Sequence, residues 1–323
     1  MEKDREHGGA PKIQESDFYD VYSQEELEDN VAELEKAKSR FAGDKLRADD
    51  AADVEWAIAH GMAGYSDWFQ DFEEVVEEGE VRLPCTDVER ATPIITLTAS
   101  EYDDVLARTD VILVLNNIYV EGAVLSLDAT CSRDGEVISK KFAKSIRKNG
   151  RLPHGFEELT YVDATVEAGI KGSVPAAPHF VVGMNADEMS DFRDMGFRPS
   201  GENDAAKNKL ERKVALKLVN EMQAQAKLTE SMAKQNGDQE YLEIISPVAK
   251  YLTVARQKAE RAYEAAGGRL GDLQLDDTYR LIMKQVEHMG RAGQAESRTL
   301  RAPSKISPKI YLEALPEEQR EAS

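Results

Sequence analysis

Two cysteines in 323 residues, Cys85 and Cys131, are too few for a disulfide framework. The five histidines, His7, His60, His154, His179 and His288, are scattered, and none has another at metal-ligand spacing. Long apolar runs are also missing. The best, VILVL at 111–115, has the length of a strand, far short of the roughly 20 residues that span a bilayer. The opening MEKDREHGGAPK lacks the basic-then-apolar order of a secretory signal. Together these absences predict a soluble, cytoplasmic protein in a reducing compartment, with no membrane partner. HExxH, CxxC and GxSxG do not occur. The glycines of AAGGRLGDL (265–273) follow a predicted helix, whereas a phosphate loop needs a strand feeding glycines into a helix N-terminus. These absences lean against an enzyme, so no catalytic residue, metal ligand or cofactor is assigned.

Charge is abundant. The chain carries 61 acids against 41 lysines and arginines, net −20, and 41% hydrophobic residues, enough for a core. The acidity is local: residues 1–90 hold 26 acids and 10 basic residues, net −16. Residues 91–200 hold 16 and 11, net −5, and residues 201–323 hold 19 and 20, net +1. A segment so acidic solubilises the chain or covers a basic surface.

Periodicity predicts an α+β fold. Residues 1–22 read as a disordered lead with Phe18, Tyr19 and Tyr22 as docking aromatics, and 23–80 as an acidic helical segment. Ser23 with Glu26 makes a capping box that opens a helix with Leu27, Val31, Leu34 and Phe41 on one stripe. Further helices are predicted over 53–60 and 66–79. Residues 81–198 carry β-rich runs at 93–98, 111–120, 123–129, 159–166 and 179–184, separated by helical stretches: a mixed sheet with flanking helices. Glu121-Gly122 is the expected hairpin turn. A helical module follows over 205–292: a first helix through Leu210, Val214, Leu218 and Met222, a second opened by Ser246-Pro247, and a third capped by Asp276 or Asp277. The remainder, 293–323, reads as an extended or disordered tail.

One stretch stands out. SKKFAKSIRKNGR (139–151) contains Lys140, Lys141, Lys144, Arg147, Lys148 and Arg151, and no acid lies between Glu136 and Glu157. With Ser139 as N-cap and Phe142 set to 0°, Ile146 falls at about 40° and the five helical positives between about 140° and 260°. An ordinary exposed helix mixes signs, because Glu–Lys pairs four apart stabilise it. Five like charges on one arc call for something negative nearby, and these six residues are the candidate partner-binding set. The acid is sought first within the chain, at Glu73, Glu74, Glu77, Glu78 and Glu80, or on a second subunit, and then in a nucleic-acid backbone.

Other candidates are weaker. Cys131 is followed by Arg133, a cation able to lower a thiol pKa. Asp110, Asp128, Asp134, Glu136 and Asp163 flank predicted strands, where a sheet can gather two or three around Mg²⁺, with Lys140 and Lys141 close behind. The acid-x-Lys pair of restriction-type nucleases is not met, since Glu136 is followed by Val-Ile-Ser-Lys140. The segment TYRLIMKQVEHMGRAGQAESRTL (278–300) resembles the C-terminal helix and turn of phage terminase small subunits, over under a tenth of the chain and on features many helices share. The first expectation is therefore a non-enzymatic binding or assembly protein that self-associates through its C-terminal helices. A nucleic-acid-associated protein of phage or mobile-element type, using 139–151, comes second. A metal-dependent hydrolase on strand-flanking carboxylates comes third.

Overall fold

The computed structural model describes residues 18–41, 58, 94–117, 120–147, 155–164, 169–196 and 205–299. Helix α1 (Gln24–Phe41) opens with the predicted capping box. The Ser23 N–H donates to Glu26 Oε2 at 2.8 Å and the Glu26 N–H to Ser23 Oγ at 3.3 Å. Its buried stripe is Leu27, Leu34 and Ala37; Val31, expected on it, is exposed. The stripe instead passes through Asn30, whose Nδ2 donates to Tyr161 Oη at 2.8 Å. Just before α1, Phe18 and Tyr22 dock as the aromatic content suggested, edge-on to the buried Tyr161 with ring centroids 5.1 and 5.6 Å away. Of the helices expected at 53–60 and 66–79, only Ile58 is described, and it is buried.

Five strands form a mixed sheet: β1 (Ile94–Thr98), β2 (Val111–Asn117), β3 (Val120–Thr130), β4 (Phe156–Ala164) and β5 (Ile170–Gly183), in the order β1-β2-β3-β5-β4. All neighbours are antiparallel except β3 and β5, which are parallel from Ser126↔His179 to Thr130↔Gly183. The β2–β3 reversal is not at Glu121-Gly122. Asn117 pairs with Val120, so the turn comes earlier and Glu121 and Gly122 lie within β3. Between β1 and β2 a π-helical turn, Asp103–Ala107, sets the buried Asp103 carboxylate on β4, where it accepts the N–H groups of Thr160 (2.7 Å) and Tyr161 (2.9 Å). Those two consecutive donors face one way at an irregularity of β4, and the carboxylate satisfies both.

The central strands are buried on both faces, and their side chains divide by period two. Val111, Leu113, Leu115, Leu125, Leu127, Phe180 and Val182 form one core with helical residues, while Ile112, Val114, Val124 and Ala177 form a second with Ala99 and Ala107. Three helices follow the sheet's crossovers: α2 (Gly135–Arg147) after β3, α3 (Ala186–Gly196) after β5, then the long α4 (Ala205–Asn236). Helix α5 (Gln239–Ala265) runs back along α4 after Gly237, whose φ of 73° ends α4. The pairs Arg212–Ala262, Gln223–Thr253 and Ser246–Glu230 show the antiparallel register. Ser246-Pro247 does not open α5 but lies inside it. The proline forgoes one intrahelical bond, and Ser246 Oγ donates to Glu230 Oε1 at 2.9 Å. Val214, Leu218, Met222, Val248, Leu252 and Ala255 all enter the first core.

The chain comprises two compact units, Met1–Glu287 and His288–Ser323. Sheet, α4 and α5 belong to the first. Helix α6 (Asp277–Thr299) begins in the first unit and supplies the described part of the second, continuing past Gly293 where its end was expected. No described helix is long and apolar enough to cross a membrane.

Beyond Pro178, β5 runs past the start of β4, and α4 takes the vacated side. Gln225 Oε1 accepts the Val181 N–H at 2.9 Å and its Nε2 donates to the Val181 carbonyl at 2.8 Å; one turn earlier Glu221 Oε2 accepts the Gly183 N–H at 2.9 Å. Another turn earlier sits Lys217, fully buried. Its ammonium donates to Asp276 Oδ2 at 2.7 Å and to Glu188 Oε2, while Lys213 Nζ lies 2.5 Å from Glu188 Oε1. Asp276 in turn caps α6 by accepting the Tyr279 N–H (2.9 Å), and Asn185 caps α3 by accepting the Glu188 N–H (2.8 Å) while donating to Asp276 (3.0 Å).

Lys217→Met leaves two buried carboxylates short of their shared cation, and the expected loss is about 3–5 kcal/mol. It is measured as a fall in the urea midpoint with an unchanged m-value.

The cluster also makes opposite pH demands. Burial raises the Asp276 carboxyl, but Lys217 and its hydrogen bonds outweigh that and hold it at about 2, below its ordinary 3.8. Its stabilisation is present above about pH 4 and is lost as pH falls through 2. Burial pushes Glu221 well above its ordinary 4.5, against the pull of Lys217. The folded state therefore binds a proton there that the unfolded state has released, and stability declines as pH rises above 4.5. Glu221→Gln is expected to flatten that decline between pH 5 and 8 in denaturation midpoints and to leave the loss toward pH 2 in place.

Candidate functional site

Strand β3 ends in Asp128-Ala129-Thr130, and β2 begins beside it. Val111↔Leu127 is the last pair of this ladder, and Asp110 and Asp128 lie just beyond it. Asp110 is fixed there by its backbone, its N–H donating to the Leu127 carbonyl at 2.8 Å, and by its side chain, whose Oδ2 accepts the Ala129 N–H at 2.5 Å. Lys141 brings a cation to this strand end: its Nζ donates to Asp128 Oδ1 and, at 2.5 Å, to the Ala129 carbonyl. Burial disfavours the Lys141 ammonium, but the carboxylates of Asp128 and Asp110 more than offset this and raise its pKa above the ordinary value.

Helix α2 delivers Lys141. It starts at Gly135, not after Ser139: Asp134 is the cap, with Oδ1 accepting the Glu136 N–H at 2.8 Å and its carbonyl the Ile138 N–H at 3.1 Å. The extra turn brings Ile138 into the buried stripe beside Phe142. On the same angular scale Ile138 stands at about 320°, only about 60° from Lys141, which therefore flanks the buried face rather than opposing it. The loop from β3 to α2 is held from two sides. Thr278 Oγ1 donates to the Ser132 carbonyl at 3.2 Å, and Arg133 pairs with Asp187 at 2.5 Å.

The sequence-predicted residues part company here. Lys140 is exposed and pairs with Glu136 at 2.7 Å, one turn back on its own helix. Lys141 is paired with Asp128 of the sheet. Lys144 and Arg147 belong to α2, with side chains outside the described residues, as are Lys148, Arg151 and the acids Glu73 to Glu80. Glu136 and Asp163 do not join Asp128: Asp163 is on β4, paired with Lys171, twelve residues from Gly183 along β5. Cys131 is a free, half-buried thiol, and Arg133 is engaged by Asp187. His179 is buried, its Nδ1 2.8 Å from Ser126 Oγ, which lies 2.7 Å from Thr109 Oγ1. Sequence reading set Asp110 and Asp128 in a wider group with Asp134, Glu136 and Asp163, with Lys140 and Lys141 behind; the end of the VILVL–AVLSLDA ladder singles out Asp110, Asp128 and Lys141.

Two carboxylates and a carbonyl at one strand end make a short donor set. Among the described residues no group of three or more His, Cys, Asp or Glu side chains is placed to hold a metal ion. Asp128 is 5% exposed, whereas the Lys141 side chain is 26% exposed, so the site opens to solvent along the lysine.

Asp128→Asn is expected to cost about 1.5–3 kcal/mol by weakening a charge-assisted bond to a largely buried ammonium. Lys141→Met in that background should restore part of the loss, so a double-mutant cycle on urea midpoints gives a coupling of about 0.5–3 kcal/mol. Simple additivity would mean that the two residues do not interact.

No family model, curated protein or solved structure matches the chain.

Proposed function

We propose that this chain is a divalent-cation-assisted hydrolase of phosphodiesters in a nucleic acid, with its site at the end of β3. The observation that carries this reading is the convergence of Asp110, Asp128, the Ala129 carbonyl and Lys141. The Asp110 and Asp128 carboxylates and the Ala129 carbonyl would be the oxygens that hold the cation, which would supply charge to activate water and to draw electron density from the phosphoryl oxygens. Lys141 donates to a non-bridging oxygen as negative charge builds there. Water adds to phosphorus, the P–O ester bond breaks, and the departing alkoxide takes a proton from solvent, leaving a phosphomonoester and an alcohol.

The choice of substrate rests on the residues that follow Lys141. Lys144, Arg147, Lys148 and Arg151 continue the basic run without an acid before Glu157, a composition suited to a polyanion. This reading joins the two expectations that used 139–151 and the strand-flanking acids. Most of the apolar stripes of α4 and α5, on which self-association through the C-terminal helices was expected, pack into the chain's own core, as do Tyr279 and Met283 of α6.

The test incubates the full chain with single- and double-stranded DNA and RNA in Mg²⁺, Mn²⁺ or EDTA. Cleavage that requires the metal and falls at least about 100-fold in Asp110→Ala, Asp128→Ala and Lys141→Ala is the expected result, in line with removal of a group that stabilises transition-state charge. Binding without cleavage would reduce the chain to a nucleic-acid-associated protein. Cleavage that survives in Asp128→Ala would sink the assignment.

A further inference from the structure

Gly183, the last residue of β5, is where three elements meet. A Cβ there would come within 2.5 Å of Thr278 Cγ2 and 2.8 Å of Ile282 Cδ1, so the first turns of α6 press directly on the strand end. Its N–H is taken by Glu221 Oε2 of α4 at 2.9 Å. The other oxygen of that carboxyl, Oε1, is buried and has no hydrogen-bond partner among the described residues. The titratable groups around it are Lys217 on its own helix, Glu188 of α3, and Asp276 and Tyr279 at the start of α6, with Arg256 and Glu260 of α5 acting on Tyr279. Lys217 already donates to two carboxylates, Glu188 and Asp276. With Lys213 on the other oxygen of Glu188, two cations and two acids balance, and an ionised Glu221 adds a negative charge that nothing in this group offsets. A buried carboxylate with an orphaned oxygen is far costlier than a buried carboxylic acid.

We infer that Glu221 is a proton-operated latch: protonated, it closes α4 and α6 on the end of β5, and its ionisation opens that junction without unfolding the rest of the first unit. The inference is independent of any ligand at the end of β3. Protonated on Oε1, the side chain is neutral and Oε2 keeps the Gly183 N–H. When the proton leaves, charge falls on an oxygen with no donor. The junction relieves it by admitting water, which parts Glu221 from Gly183, and Thr278 and Ile282 from the strand. The pKa of Glu221 is raised for the same reason, burial outweighing the pull of Lys217. Thr278 also donates to the Ser132 carbonyl, so the opening reaches the loop that carries β3 into α2. Opening is rarest at low pH. It grows as pH rises above 4.5, the ordinary value for a solvated glutamate, by up to about ten-fold per pH unit until the pKa of the closed state is passed.

The test is hydrogen–deuterium exchange of the full chain, wild type and Glu221→Gln, between about pH 5 and 8, with each rate divided by the intrinsic rate at that pH. Peptic fragments covering 179–184 and 277–283 report the junction, and one covering 111–115 in central strand β2 reports global unfolding. The latch predicts that protection of the first two segments falls at least about ten-fold across this range in the wild type while 111–115 stays protected. Glu221→Gln, which keeps an acceptor for Gly183 but cannot ionise, removes the fall. Protection that does not change with pH in the wild type overturns the latch, whether or not the variant folds. A fall shared equally by all three segments also overturns it, since Glu221 then ionises only on global unfolding. So does a fall retained in Glu221→Gln shown to be folded by circular dichroism.

Discussion

The upper half of β5 has no strand on one side, and the architecture depends on how α4 fills that gap. A buried strand edge with unpaired N–H and C=O groups costs about 1–3 kcal/mol for each group left unmet. Helix α4 meets them with side chains: Gln225 serves both groups of Val181, and Glu221 serves the N–H of Gly183. Two residues four apart on a helix thus reproduce what a neighbouring strand offers two residues apart. The helix must lie very close to do so. Near Gly155, a Cβ would come within 2.4 Å of Thr229 Oγ1, so glycine is required there both by that approach and by its φ of +87°.

Lys217 extends this contact to the rest of the first unit. It joins α4 to Glu188 at the start of α3 and to Asp276 at the start of α6, fixing the segments that leave β5 and enter α6. Thr278, two residues past Asp276, then holds the loop that follows β3. The positions of Asp128 and the Ala129 carbonyl are set by this chain of contacts as much as by the β2–β3 ladder. Lys217 and the half-buried Lys141 differ in their surroundings. Lys217 is fully buried, has two carboxylate partners with one oxygen each, and has no path to solvent. Lys141 is partly exposed and rests on a carboxylate and a backbone carbonyl at the open end of a strand. The first arrangement cross-links helices inside the core; the second ties one helix to a strand end at the edge of solvent.

Much of the fold was legible because its signals are local. The Ser23–Glu26 box, the Asp276 cap, the glycine stops at 237 and 267 and the period-two runs of β2 and β3 act within a few residues. Misreadings arose where distant packing outweighed such signals. Residues 170–178 are strand although Pro175 and Pro178 argue against it, because β4 begins opposite Pro178 and slips register around Leu159. Ser246-Pro247 has the chemistry of a helix start, yet α4 holds α5 continuous through it. Ser139 resembled a cap until Asp134 provided one a turn earlier, and that single turn moved Lys141 from the outward arc to the flank of the buried stripe. The strand-flanking acids and the lysines behind them were therefore readable as a broad set, but which of them meet was not, since the end of the β2–β3 ladder and the phase of α2 are both non-local.

The charge asymmetry of the chain now has a structural reading. Among the described residues the countercharge on Lys141 comes from Asp128 of β3 and from Asp110 just before β2, and Lys140 is paired within its own helix. The described part of that acidic third is fixed to the sheet chiefly by Phe18 and Tyr22 around Tyr161, by Lys171 on Asp20 at 2.8 Å and by Lys38 on Glu101 at 2.9 Å. Its attachment thus needs no contact with the basic run. Screening limits what the remaining acids do at a distance, since the Debye length at physiological salt is about 8 Å. A net charge of −20 is therefore compatible with a locally positive helix, provided the acids lie farther away than that length. For an anionic ligand at the end of β3, the relevant field is that of α2 and the two aspartates, and a bound cation would reverse the sign of the aspartates' contribution.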